Sequence, residues 1–273
     1  MAARSAQRGS AAVAATLAIF LVLFVGITLY YFLWKVWWYP PPINDFGREI
    51  DAQFTRTFVI TGIVFVASQL GLAWAVWRYR ANGGRATYFE GNNTMEAVWT
   101  TATIVLFVGL GIFGRTAWAQ LHFDAIPADA MKIEVTGKQF NWFFRYPGTD
   151  GKFGRTDPKL VDEANPVGLD PKDPASTDDV VTATLGVPTG REIELIERSL
   201  DVTHGFFVRE LRLKQDALPG LLIHVHFHAD VPGDYEIACT QLCGSGHHRM
   251  RATLKVMPPA EFEKWLANEK ANQ

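Results

Sequence analysis

Cysteine is almost missing from this chain, with 2 among 273 residues. No C-x-x-C-H sequence occurs, which excludes a covalently attached haem and assigns any such group to a separate protein. Charge is missing in three places: between Gly9 and Trp34, between Thr57 and Trp77, and between Ala97 and Gly114. Each run is long enough to cross a hydrocarbon core of roughly 30 Å. Trp34, Trp37, Trp38 and Tyr39, then Trp74, Trp77 and Tyr79, then Trp99 and Trp118 cluster near the run ends, as aromatic belts do at membrane interfaces. A soluble reading would have to bury all three runs in a chain this short, so three transmembrane helices are expected.

The first run could instead be a cleaved signal peptide. It is longer than a typical apolar signal core, and bulky Tyr31-Phe32-Leu33-Trp34 stands where small residues should precede cleavage. An uncleaved helix is therefore expected. Arg4 and Arg8 precede the first span, and Arg78, Arg80 and Arg85 follow the second. The positive-inside rule puts the N-terminus in the cytoplasm and everything after the third span outside. The expected organisation is an N-terminal helix over 1–40, a helical hairpin over 41–120 and an exported domain over 121–273.

Beyond the third span the chain is polar and rich in turns. Lys132 to Thr136 and Arg191 to Ile196 alternate with period two, and Leu221, Ile223, Val225 and Phe227 fall on one face of a strand. Such half-buried strands, bounded by Gly and Pro, read as a small all-β domain. The stretch from Gly148 to Asp179 is dense in Asp, Pro and Gly and reads as a long surface loop. A closing helix is expected around Pro258 to Leu266, with Phe262, Trp265 and Leu266 on one face. Of 26 Lys+Arg and 28 Asp+Glu, the first 120 residues hold 9 and 5, leaving 17 and 23 beyond. An acidic outer domain could steer a basic partner; a solvated surface accounts for the same excess. His224, His226 and His228 share one strand face, which reads as a polar face rather than a second metal site.

Both cysteines lie between Cys239 and Met250, in the pattern C-x-Q-x-C-x-x-x-H-x-x-M. Two thiols, an imidazole and a thioether are soft donors suited to copper. A disulfide or two inert thiols are the alternatives, and a disulfide leaves His247 and Met250 unexplained.

This pattern, with Asp201-Val202-Thr203-His204 upstream, resembles the binuclear copper (CuA) site of cytochrome c oxidase subunit II. The similarity runs from about Phe54 to the C-terminus. It implies a cupredoxin-like Greek-key barrel in which Cys239 and Cys243 bridge two coppers and His204 and His247 each cap one. Met250 and the Gln241 carbonyl would be weak axial ligands, and Asp201 would serve donor docking or coupling. His248 is excluded, because only His247 keeps both motif spacings. Gly137-Lys138-Gln139-Phe140-Asn141-Trp142 is similar to the family's aromatic electron-entry segment, with Phe140 in place of a tryptophan and Trp142 matching the second one. By the same resemblance Glu96, before Trp99-Thr100, matches a family glutamate that sits at the mouth of the proton pathway into subunit I. As a carboxylate at a helix start it also suits the macrodipole alone. Gln241 replaces a glutamate that helps hold magnesium or manganese, and a neutral amide weakens a hard-cation site.

The function implied is electron entry into a proton-pumping haem–copper oxidase, an oxidoreductase and translocase in a bacterial-type plasma membrane. Oxygen chemistry would lie in subunit I. Subunits I and III and cytochrome c or a similar donor would be partners, a respiratory supercomplex is possible, and nucleic acid is not expected. The first helix is additional to the family's hairpin and reads as an anchor. A stand-alone copper carrier or copper chaperone is the alternative. A quinol oxidase subunit is disfavoured because it would lack the copper ligands.

Overall fold

The computed structural model describes residues 10–35, 39–80, 87–123 and 125–273. Arg4, Arg8, Trp37, Trp38 and Arg85, used above for orientation and belts, lie outside the described residues. The chain divides into two compact units, Met1–Trp38 with Ala52–Gly114, and Tyr39–Asp51 with Arg115–Gln273.

Helices α1 (Ala11–Leu33), α2 (Asp45–Arg78) and α3 (Asn93–His122) are each long and apolar enough to cross a membrane. Polar side chains start them. The hydroxyl of Ser10 accepts from Ala12 N at 3.1 Å, and the amide oxygen of Asn92 accepts from Thr94 N and Met95 N at 3.0 and 3.1 Å. These bonds satisfy N–H groups that a helix start leaves open. Within the spans, Thr28, Thr61, Ser68 and Thr103 donate to carbonyls one turn back at 2.7–2.8 Å. Hydrocarbon offers no other partner, so this back-bonding lets hydroxyls sit there at low cost. Trp74, Trp77, Tyr79, Trp99 and Trp118 keep exposed rings.

The second unit is a β domain of two five-stranded sheets. One has β3 (Val180–Thr182), β2 (Asn141–Tyr146), β1 (Met131–Lys138), β5 (Ile193–Ser199) and β8 (Ile223–Phe227) in that order. The other has β4 (Thr184–Pro188), β10 (Arg251–Met257), β9 (Gly233–Cys239), β6 (His204–Val208) and β7 (Leu213–Ala217). Inward residues such as Ile133, Val135, Phe144, Leu195, Phe206 and Leu254 are fully buried and form the core. The closing helix α4 (Pro259–Ala271) buries Phe262 and lays Trp265 edge-on to Tyr146, ring centres 5.8 Å apart. Gly186 makes room for that indole, since a Cβ there would meet Trp265 at 2.3 Å. Three membrane-length helices followed by a cupredoxin-like β domain are thus observed as expected.

Three features differ from the sequence expectation. The strand expected from Leu221 begins at Ile223, because Gly220 takes φ +78° in the turn and leaves Leu221 and Leu222 exposed. The β1 strand is not half-buried, for Glu134 and Thr136 are buried on its outer face. The loop after β2 covers them. Arg145 reaches Glu134 at 2.8 Å, Asp179 and the Gly154 carbonyl, while Arg198 binds Glu134 and the Thr156 hydroxyl at 3.1 and 3.0 Å. Finally, Ile43 is buried in the β core; its N–H donates to Glu210 O and its carbonyl accepts from Asp230 N, at 3.0 and 2.9 Å. Arg212 holds the same segment through both oxygens of Asp51 at 2.8 Å.

The loop's anchor gives a prediction. Asp179→Ala would leave the buried Arg145 guanidinium with Glu134 as its one carboxylate, which Arg198 already shares. Removing one partner of such a pair costs about 3–5 kcal/mol, so a large drop in unfolding midpoint is expected, with faster proteolysis within 148–179.

Candidate metal centre

Register brings the two ligand segments together. Cys239, the last residue of β9, stands opposite Phe206 of β6, two residues after His204. The loop after Cys239 is pinned by Thr240 N donating to Gly205 O at 2.9 Å and Cys239 N donating to Met250 O at 3.1 Å. Gly205 permits that approach, because a Cβ would meet Thr240 Oγ1 at 2.7 Å. Gly244 turns the loop at φ +136°, a backbone region that favours glycine.

Ligand atoms of His204, Cys239 and Cys243 all lie within 4.8 Å of one another, and all three residues are buried. The sulfurs stand 3.8 Å apart and both cysteines are free, which rules out the disulfide reading for this structure. Cys243 Sγ lies 3.6 Å from His247 Nδ1 and 3.8 Å from Met250 Sδ, and Cys239 Sγ lies 3.2 Å from the Gln241 carbonyl oxygen. His248 is exposed, and so is the Gln241 side chain.

The protons support a soft-metal site. Burial pushes the Asp201 carboxyl up, but the Gln139 N–H, the His204 ring and the Val202 N–H outweigh it and hold the pKa below the usual value. Ionised Asp201 only accepts, so the 2.8 Å contact places a proton on His204 Nε2. Nδ1 then carries the lone pair. It is buried with no hydrogen-bond partner among the described residues, an arrangement costly for an imidazole without a ligand. Burial, with Cys239 beside it, pushes the Cys243 thiol up to about 11. A cation must displace that proton, so metal uptake strengthens as pH rises. Two sulfurs, a thioether, imidazole nitrogens and one carbonyl fit copper better than a hard cation.

The aromatic segment divides its work. Trp142 is buried, its ring 5.8 Å from His204 and 5.6 Å from Phe206 in edge-on contacts. Phe140 is half-buried and lies under the ligand loop, where a Cβ on Gly246 would meet its ring at 2.4 Å. Gln139, which sequence reasoning passed over, ties the parts together. Its N–H donates to Asp201 at 2.7 Å and its side-chain amide donates to Cys243 O at 2.6 Å. Its adjacency to the aromatic run was the only available signal. Glu96 sits in the first turn of α3, apart from this cluster in sequence and in unit. His224 and His226 meet Glu194 and Glu192 at 2.7 and 2.5 Å, and His228 meets Glu192 at 3.3 Å. His224 and His226 thus pair with carboxylates along β8, and His228 does so just beyond its end.

Asp201→Asn is expected to weaken metal affinity about 10–100-fold, the usual cost of losing a group that orients a ligand histidine. Competition titration against a chelator measures it.

The family model for the cytochrome C oxidase subunit II periplasmic domain matches residues 131–257. The alternative cytochrome c oxidase subunit 2 of Bradyrhizobium diazoefficiens is 35% identical over 255 residues, 92% of this chain and 91% of that one. Cytochrome c oxidase subunit 2 of Cereibacter sphaeroides is 27% identical over 84% of this chain and 78% of its own length. Among solved structures, the periplasmic domain of subunit II of cytochrome oxidase from Bradyrhizobium japonicum matches at 27% identity. It covers 54% of this chain and 99% of that one, with a TM-score of 0.41. Similarity of this extent to a full-length relative, joined to the copper-type ligand set, shows that the chain belongs to the cytochrome c oxidase subunit II family.

Proposed function

We propose that the chain is the electron-entry subunit of a haem–copper oxidase and that its β domain holds a binuclear copper centre. Cys239 and Cys243 would bridge the two metals, His204 and His247 would cap one each, and Met250 with the Gln241 carbonyl would complete the set. When bound, the copper pair supplies a one-electron acceptor and donor. The observation that carries this reading is a buried His204, its Nδ1 without a hydrogen-bond partner among the described residues, within 4.8 Å of two free thiols by one ring nitrogen. The protein's part is rigidity. Asp201 fixes the His204 ring, Gln139 fixes Asp201 and the Cys243 carbonyl, and Phe140 packs beneath the loop. A site held on strand ends rearranges little between oxidation states, which is what fast electron transfer requires.

Phe140, half-buried where Trp142 is buried, is the better candidate for the side chain that meets a c-type cytochrome donor. Trp142 would serve as the wall behind His204. In the same reading the β domain lies outside the membrane with the N-terminus cytoplasmic, subunits I and III are neighbours, and Glu96 lies at a proton entrance. The neutral Gln241 side chain makes a neighbouring magnesium site weak. The test is purification of the tagged full chain from its host membrane, followed by haem analysis and oxygen uptake with reduced cytochrome c. A haem-bearing large subunit and cytochrome-driven oxygen uptake are expected. One copper per chain with no haem partner would indicate a carrier or chaperone instead.

A further inference from the structure

The membrane unit contains a groove that the oxidase role does not use. Phe24 meets Phe65 at 5.9 Å and Phe32 meets Phe58 at 6.1 Å, so α1 and α2 run antiparallel and the start of α1 lies beside the end of α2. Between them at that end is a groove of about 390 Å³, lined by Ala15, Ala18, Ile19, Val22 and Leu23 of α1 and by Trp77 of α2. The size falls within the range of small-molecule sites. Ala15 and Ala18 create the recess and Trp77 forms its wall. With an apolar lining inside a membrane, hydrocarbon fills it and water does not.

What distinguishes this groove from plain lipid-facing surface is the cation stacked on its lining tryptophan. Arg80 stacks on the Trp77 ring, its guanidinium carbon 4.1 Å from the ring centre, and donates to the Trp77 carbonyl at 2.8 Å. That pairing holds a permanent cation against Trp77, the α2 residue that lines the groove, with Arg78 two residues before it. A guanidinium fork matches phosphate oxygens in shape and charge. We propose that this is a binding site for an anionic phospholipid, with an acyl chain along Ala15–Leu23 and the head-group phosphate on Arg80. One role for the additional first helix follows, since without α1 the groove has a single wall.

The probe is phosphatidylglycerol against phosphatidylcholine, read by native mass spectrometry of the full-length chain in detergent. The wild-type chain should retain phosphatidylglycerol preferentially. Arg80→Gln should cut that preference about fivefold, the equivalent of about 1 kcal/mol for one basic contact at the membrane surface. Arg80→Lys should keep part of it. Ala18→Phe should fill the recess and lower retention of both lipids with helix content unchanged by circular dichroism. Equal retention of the two lipids by the wild-type chain would overturn the site, as would unchanged lipid binding in both Arg80→Gln and Ala18→Phe. So would a polypeptide segment seated in the groove of the assembled oxidase.

Discussion

Serine in place of Cys243 is expected to reduce copper from about two per chain to about one and to abolish cytochrome-driven oxygen uptake. Cys243 is the residue on which the other donors converge: Cys239 Sγ and Met250 Sδ each lie 3.8 Å from its sulfur and His247 Nδ1 lies 3.6 Å from it. A serine hydroxyl is hard and holds its proton, so it cannot bridge two soft ions. A single site of one cysteine, histidines and a weak methionine would remain, the donor set of a mononuclear blue-copper centre. His247→Ala should be nearly as damaging, whereas His248→Ala should change little, because His248 is exposed beside the cluster. Copper analysis and visible spectra of the three variants check this order. A binuclear spectrum surviving in Cys243→Ser would remove the bridging assignment.

Leucine in place of Glu197 is expected to stabilise the β domain by about 1–4 kcal/mol, the range seen when buried ionic groups give way to hydrophobic ones. Glu197 is fully buried on the core side of β5, registered with Val135 and Ile223, and neither carboxyl oxygen has a hydrogen-bond partner among the described residues. Burial first, then Asp216, raises its pKa well above the ordinary glutamate value of 4.5, against a smaller opposing effect of Lys214. The folded state therefore binds a proton that the unfolded chain releases. Below about 4.5 the carboxyl is neutral in both states and costs little charge energy. As pH rises from there towards the folded-state pKa, stability is progressively lost. The gain from Glu197→Leu should accordingly grow from pH 4 to pH 8. Glu197→Gln should flatten the pH dependence with a smaller gain. Unfolding midpoints of the full chain across that range measure both; a destabilised leucine variant at pH 8 would contradict the buried, unpartnered carboxyl.

What the sequence made legible follows chain locality. The three spans stand out because a membrane helix must be apolar along its whole length, and the Cys239–Met250 loop because one short segment supplies most of the ligands. His204 came only through resemblance. Its place at the site depends on the pairing of Phe206 with Cys239, which no local pattern encodes. The choice of His247 over His248 rested on spacing, and the structure brings His247 rather than His248 to the sulfur.

What stayed hidden was polar or distant in sequence. Alternation in β1 marked Glu134 and Thr136 as solvent-facing, yet arginines and a loop from elsewhere cover them. Ile43 sits in a proline-rich connection whose pairing with Glu210 and Asp230 is entirely long-range. Gln139 looked like part of an aromatic run, and only the geometry shows that it braces Asp201 and the Cys243 carbonyl together.

The most direct measurement is electron paramagnetic resonance of the full chain loaded with copper under oxidising conditions, alongside its copper-to-protein ratio. One unpaired electron coupled equally to two copper nuclei, at about two metals per chain, is expected from two free thiols within reach of one another and of His204. Hyperfine structure from a single copper nucleus, or a Cys239–Cys243 disulfide that leaves the loop without metal, would contradict it.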